Sequence, residues 1–178
     1  EKLQQAVETL GVTVKALWNT HGHVDHIGAV GELAKVYEVP VIGPHREDQF
    51  WIDALQDICR QYGFPVAEKV VVDQWLEGGD TLTLGKYTFE VRFAPGHTPG
   101  HVMFYCAEMN ILWTGDVIFK GSIGRTDFPK GDFDTLIESI KTQVYTLPDN
   151  TQFICGHGPT STVGHEKQFN PFVSSKAG

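Results

Sequence analysis

Residues 20–26 read Thr-His-Gly-His-Val-Asp-His, which places His21, His23, Asp25 and His26 within six consecutive positions of a chain that has eight histidines in all. Imidazoles packed this densely repel one another once protonated and add nothing to an apolar core, so the pattern reads as a metal-binding loop. Side chains alternate in direction along an extended segment, so His21 and His23 are expected to point together while Asp25 and His26 diverge. One loop can thereby offer an imidazole pair to one cation and a carboxylate with an imidazole to a second. Three further segments carry metal-type residues beside glycine: Gly96-His97-Thr98-Pro99-Gly100-His101, Thr114-Gly115-Asp116 and Gly156-His157-Gly158. Any one of them alone reads more readily as a satisfied histidine or a turn aspartate; with the opening loop they read as one centre. Spacing alone does not choose between His97 and His101. Two cations ~3.5–4 Å apart can share a hydroxide, bring the pKa of bound water toward ~7 and polarise a carbonyl oxygen, which is hydrolase chemistry. Imidazole and carboxylate donors suit zinc, iron or manganese, and spacing does not rank the three; zinc is the working expectation.

The elements that must position these residues follow from periodicity. Leu3, Ala6, Val7 and Leu10 recur at helical spacing and stop at Gly11. Val14, Ala16, Leu17 and Trp18 form a strand that delivers the histidine loop. A helix through Ala29, Leu33, Ala34 and Tyr37, a brief strand at Val39 to Ile42, and a helix from Phe50 to Tyr62 closed by Gly63 come next. From Val70 to Trp113 the period changes to two, which predicts antiparallel strands turning at Gly85-Lys86 and near Met109-Asn110. A loop at 121–132 leads to a helix with Thr135 and Glu138 as a capping box, then a strand at Phe153-Ile154, then a final helix between Thr162 and Phe172. His45 and His165 read as packed or exposed histidines rather than ligands.

The chain has 178 residues and is 41% hydrophobic, enough for a single domain over 1–178 with a sizeable core. A formal charge of −8 argues against broad electrostatic contact with nucleic acid or an anionic membrane, and favours a small-molecule substrate. No run approaches the ~18 apolar residues of a membrane span. The three cysteines, Cys59, Cys106 and Cys155, are an odd number without a Cys-x-x-Cys pair, which suits reduced core thiols and a cytoplasmic setting.

With these motifs the sequence resembles the metallo-β-lactamase superfamily over essentially its whole length, its His-x-His-x-Asp-His loop being matched by His21, His23, Asp25 and His26. The resemblance implies an α/β fold, the αββα four-layer sandwich. It implies that His21, His23 and His97 hold one divalent ion, that Asp25, His26 and His157 hold a second, and that Asp116 bridges them, with His101 in a supporting role. Within the superfamily, residues 115–129 and 156–162 look like the small single-domain glyoxalase II enzymes. The implied activity is hydrolysis of glutathione thioesters such as S-lactoylglutathione through a metal-bound hydroxide, with Asp25 accepting a hydrogen bond that orients it. A thioester suits such a site, because a thiolate leaves with a pKa near ~8.5 and needs no strong general acid. Arg125, with Lys120 nearby, could grip a glutathione carboxylate; equally, Arg125 could pair with Asp127 and Lys130 with Asp132.

Two rival functions remain open on sequence. One is a mono-iron persulfide dioxygenase built on His21, His97 and Asp116; the other is a non-catalytic metal-stabilised binding module. The fold's first strands normally precede the helix at which this chain starts, so the N-terminal strands are expected to be missing. That would leave a sheet edge open to a second copy in a homo-oligomer.

Overall fold

The computed structural model describes residues 1–173. Helix α1 (Lys2–Leu10) ends at Gly11 in the left-handed conformation, φ 61°, as its glycine terminator predicts. None of its residues is buried, so the helical spacing holds while its apolar stripe stays open. β1 (Leu17–Trp18) then pairs in parallel with β2 (Val41–Ile42). The crossover between them holds the short α2 (Val24–Ile27) and α3 (Val30–Tyr37). The helix expected from Phe50 to Tyr62 is divided by a turn at Ala54 into α4 (Gln49–Asp53) and α5 (Leu55–Tyr62), and Gly63 closes it at φ 71°. The apolar residues around Val70 add no strand of their own, only a single bridge between Ile42 and Gln74.

The period-two region forms β3 (Thr81–Leu84), β4 (Tyr87–Phe93), β5 (Val102–Cys106) and β6 (Ile111–Gly115), an antiparallel run. A hairpin of β7 (Ile118–Phe119) and β8 (Ser122–Ile123) follows, too short to announce itself in the sequence. α6 (Phe133–Ser139) continues into a π-helical turn over Ile140–Val144. Asp132 caps α6 by accepting the Thr135 amide at 2.8 Å. The capping box at Thr135 and Glu138 is thereby corrected: Thr135 is already inside the helix, and its amide is taken by a carboxylate one turn earlier. β9 (Gln152–Cys155) adds in parallel beside β6, and β10 (Ser161–Thr162) leads into α7 (Val163–Phe169). The sheet order is β10-β9-β6-β5-β4-β3.

Alternation divides the apolar residues of this sheet between two faces. Met103, Leu112 and Phe153 meet Leu136, Ile140 and Val144 of the α6 segment. Val91, Val102, Phe104 and Cys106 face the other way, against Trp18 and Ile42 of the small sheet. Behind that small sheet, Val41 packs with Ile27, Ile52, Leu55 and Cys59 of the first helices. Helices, small sheet, large sheet and helices make four layers, the expected αββα arrangement. Because β4, β6 and β9 all run in one direction, their C-terminal ends lie along one edge of the sheet.

Candidate metal centre

Each metal-type residue lies where a strand stops. The chain is extended through His21 to His23, then turns into α2, whose N-cap is His23 at φ −73°, ψ 150°. Asp25 and His26 therefore diverge because they are successive residues of a helical turn, about 100° apart, and not because a strand alternates. Past the ends of β4, β6 and β9 come His97, Asp116 and His157. The seven residues converge: donor atoms of His21, His23 and His97 lie within 4.8 Å of one another, as do those of His21, His26 and Asp116, and those of Asp25, His26 and His157.

Asp116 lies between the groups. Its Oδ2 is 3.6 Å from His97 Nε2 and 3.5 Å from His157 Nε2, and its Oδ1 is 3.4 Å from His26 Nε2. Asp25 Oδ2 lies 3.1 Å from His157 Nε2 and 3.5 Å from His26 Nε2. His23 Nδ1 and His97 Nε2 are 3.0 Å apart. A tetrahedral ion with bonds of ~2.0–2.2 Å holds its ligand atoms roughly 3.3–3.6 Å apart, and these separations of 3.0 to 3.6 Å lie within a few tenths of an ångström of that shell. Among the described residues, His21 Nε2, His26 Nε2 and Asp116 Oδ1 are buried without a hydrogen-bond partner, which a cation would supply.

Electrostatics suit the same role at His21, His23 and His97, whereas at His26 burial is outweighed by Asp116 and Asp25, which raise it. Burial drives His21 well below the ordinary 6.5, and the surrounding imidazoles push the same way. Burial, with His97 adding to it, lowers His23 to about 4. His97 is also lowered by burial, although its bond to the Arg125 carbonyl opposes this. These rings are neutral at pH 7 and present lone pairs. His97 Nδ1 donates to the Arg125 carbonyl at 2.7 Å, which aims Nε2 at the cluster. Asp116 stays below the usual carboxylate range: burial raises it, but contact with His26 and the nearby imidazoles outweigh that.

His101 is separated from His97 by its partner. Its Nε2 accepts the Asp116 amide at 3.1 Å, so that lone pair is already used, and the ring stacks on His21 at 4.7 Å. His45 caps the short 3-10 turn over Arg46–Asp48, and its Nε2 lies 2.9 Å from Glu77. His165 is exposed on α7.

The centre opens into a cleft of about 900 Å³ with Trp51, Ile58, Tyr62, Phe64, Phe128 and Arg125 among its walls. Arg125 forms a two-pronged pair with Asp127, both contacts at 2.6 Å, and lies 4.2 Å over the Phe128 ring. Lys120 is exposed in the turn between β7 and β8 and is not among the residues lining the cleft, because the hairpin carries it away. The Lys130–Asp132 pairing is replaced: Lys130 sits 4.3 Å over Phe50 while Asp132 caps α6. Cys59 and Cys106 are buried free thiols, but Cys155 is only half-buried, its Sγ 3.0 Å from the His157 carbonyl. Sequence reasoning missed Asp48, which is fully buried and accepts hydrogen bonds from Gly22, Thr98 and Gly100. Those partners are 26, 50 and 52 residues away, beyond any local pattern.

No helix among the described residues is long and apolar enough to cross a membrane. Residues 2–157 match the metallo-β-lactamase superfamily domain. The chain is 42% identical to the hydroxyacylglutathione hydrolase GloC of Haemophilus influenzae, over 99% of its own length and 84% of that protein's. Its structure is similar to the BLEG-1 B3 metallo-β-lactamase, with TM-score 0.88 and 37% identity over 97% of this chain and 83% of that one. It is similar also to TTHA1623 in a di-iron-bound form, with TM-score 0.87 and 37% identity over 97% and 84% of the two chains. A further likeness is to ETHE1 from Myxococcus xanthus, with TM-score 0.78 and 26% identity over 99% and 70%. On its motifs, its layers and this match across most of its length, the chain belongs to the metallo-β-lactamase superfamily.

Proposed function

We propose that this metallo-hydrolase cleaves glutathione thioesters such as S-lactoylglutathione at a two-metal centre. The observation that carries the proposal is the placement of Asp116 Oδ2 within 3.6 Å of His97 and 3.5 Å of His157, one oxygen facing both donor groups. In this reading His21, His23 and His97 would hold one ion, Asp25, His26 and His157 the other, and Asp116 would contribute to both. Zinc is the first choice, with iron or manganese compatible with the same donors. Two such ions supply Lewis acidity and make water a nucleophile near neutral pH.

The chain's own residues do the rest. Asp25, exposed at the mouth of the centre, accepts a hydrogen bond from the attacking water and orients it. Trp51 and Phe128, whose rings lie 4.6 and 4.8 Å from His23, give the reacting carbonyl an apolar wall and limit solvent. Arg125 at the cleft wall receives a glutathione carboxylate, exchanging Asp127 for the substrate. The thiolate departs without a dedicated acid. Similarity to GloC supports the thioester assignment.

The test is hydrolysis of S-lactoylglutathione by the metal-loaded protein alongside Asp116→Ala. The variant should lose metal and fall by more than about a hundredfold in rate, beyond the 10–100-fold cost of disturbing only a residue that supports a ligand. Full activity in Asp116→Ala would end the two-metal mechanism. A second reading is an iron-dependent persulfide dioxygenase, in which His21, His97 and Asp116 would serve as the two-histidine, one-carboxylate set; of these, His97 Nε2 lies 3.6 Å from Asp116 Oδ2. One iron per chain with oxygen uptake on glutathione persulfide would select it over the hydrolase.

A further inference from the structure

We infer that Asp48 is a positioning residue that fixes the spacing of the two histidine-bearing loops and so sets metal affinity. The inference rests on the metal-centre reading above. Asp48 ends the 3-10 turn after β2 and is completely buried. Its Oδ2 accepts the Gly22 amide at 2.8 Å and the Thr98 hydroxyl at 2.8 Å, while its Oδ1 accepts the Gly100 amide at 2.6 Å. Gly22 lies between His21 and His23, Thr98 follows His97, and Gly100 precedes His101. One carboxylate therefore ties together the segments that carry the His21, His23 and His97 donors and the ring that receives the Asp116 amide.

The approach is close enough to transmit small shifts. A Cβ on Gly22 would come within 2.8 Å of Trp51 Cβ, and one on Gly100 within 2.5 Å of the Asp48 nitrogen. Both loops press directly on the Asp48 segment, so their separation is set there. All three partners approach as donors, two of them backbone amides that cannot reverse role. An asparagine has one acceptor oxygen, so whichever way it turns, an amide N–H of Gly22 or Gly100 faces an NH2 group. The loops must then move apart by a few tenths of an ångström, and the imidazoles move with them.

The experiment strips metal from the wild-type protein, Asp48→Asn and Thr98→Val, then titrates each with zinc against a chromophoric chelator and records cobalt(II) visible spectra. Asp48→Asn should bind its ions about 10–100-fold more weakly, the range for disturbing groups that support metal ligands, with a changed cobalt band pattern. Thr98→Val, which removes a single bond at nearly constant volume, should weaken binding in the same direction by less. A residue that only supports the fold would lower the melting temperature of the metal-free protein and leave affinities and cobalt spectra as in wild type; that result overturns the proposal. If Asp48→Asn does not fold, Thr98→Val decides, and unchanged affinity there overturns it equally. A wild-type protein that binds no metal would remove the centre itself, a different failure from a wild-type centre indifferent to Asp48.

Discussion

Asp116 holds its place because the neighbouring backbone leaves room for it. Gly156 lies so close that a Cβ there would overlap Asp116 Oδ1 and reach within 2.7 Å of His26. Gly156→Ala is expected to displace the carboxylate and lower bound metal by half or more in a protein that still folds, read by elemental analysis beside circular dichroism. Arg125 carries a different expectation. Asp127 is pulled down to about 2, chiefly by its hydrogen bonds from Arg125. A carboxyl depressed in the folded state keeps its pairing above its ordinary pKa and loses it as pH falls through about 2, so the pair is intact throughout any neutral assay. On the proposed reading, a glutathione carboxylate would compete with Asp127 for Arg125. Asp127→Asn should lower KM for glutathione thioesters several-fold relative to uncharged ones, and Arg125→Ala should raise it; identical KM ratios in all three proteins would remove Arg125 from substrate binding. At this scale the metal-type residues were legible because their chemistry is local and dense, whereas Asp48 was not. A carboxylate whose partners are two backbone amides and a hydroxyl of distant loops leaves no spacing to read.

Strand direction places the donors. β9 runs parallel to β6 with Leu112 opposite Phe153 and Gly115 opposite Cys155, so the loops bearing Asp116 and His157 leave the sheet side by side. A slip of two residues would carry His157 about 7 Å away and break the convergence. The register depends on Phe153, fully buried in the core that contains Leu112 and Leu136. Phe153→Ala should cost about 3–5 kcal/mol of stability, measured by urea unfolding, and should disturb metal content only as unfolding sets in. The period-two strands and the glycine ends of α1 and α5 were readable, because alternation and positive-φ termini are properties of short windows. The parallel insertion of β9 was not, since it depends on which strand edge is free after β3 to β6 have paired. The cap of α6 was misread because two acceptable capping residues lie one turn apart, and tertiary placement selects Asp132.

Across the whole molecule the two donor groups differ in exposure. His21, His23, His97 and Asp116 are buried, whereas Asp25 and His157 are exposed at the cleft. Chelator should therefore remove two ions in two resolved phases, the Asp25–His26–His157 ion first, followed by dialysis and elemental analysis. A single concerted loss would contradict this ordering. Because the donors come from four separated segments, ligation should also stabilise the fold. At free metal ~100 times Kd the gain is about 2.7 kcal/mol, seen as a melting temperature several degrees lower in chelator. The four-layer architecture was legible through the resemblance; the parallel pairing of β1 with β2 in the small sheet, among the described residues, was visible only in three dimensions.

The cleft walls and the donor residues belong to different parts of the chain. Ile58, Tyr62 and Phe64 come from α5 and the turn after it, and Phe128 from the loop before α6, while every donor sits at a strand end or on α2. Selection can therefore rewrite the α5 part of the wall without replacing a donor, whereas the loop that carries Phe128 also holds the Arg125 carbonyl against His97 and is less free to drift. Grafting residues 58–64 between relatives is the corresponding engineering route, altering acyl preference while metal stoichiometry stays constant.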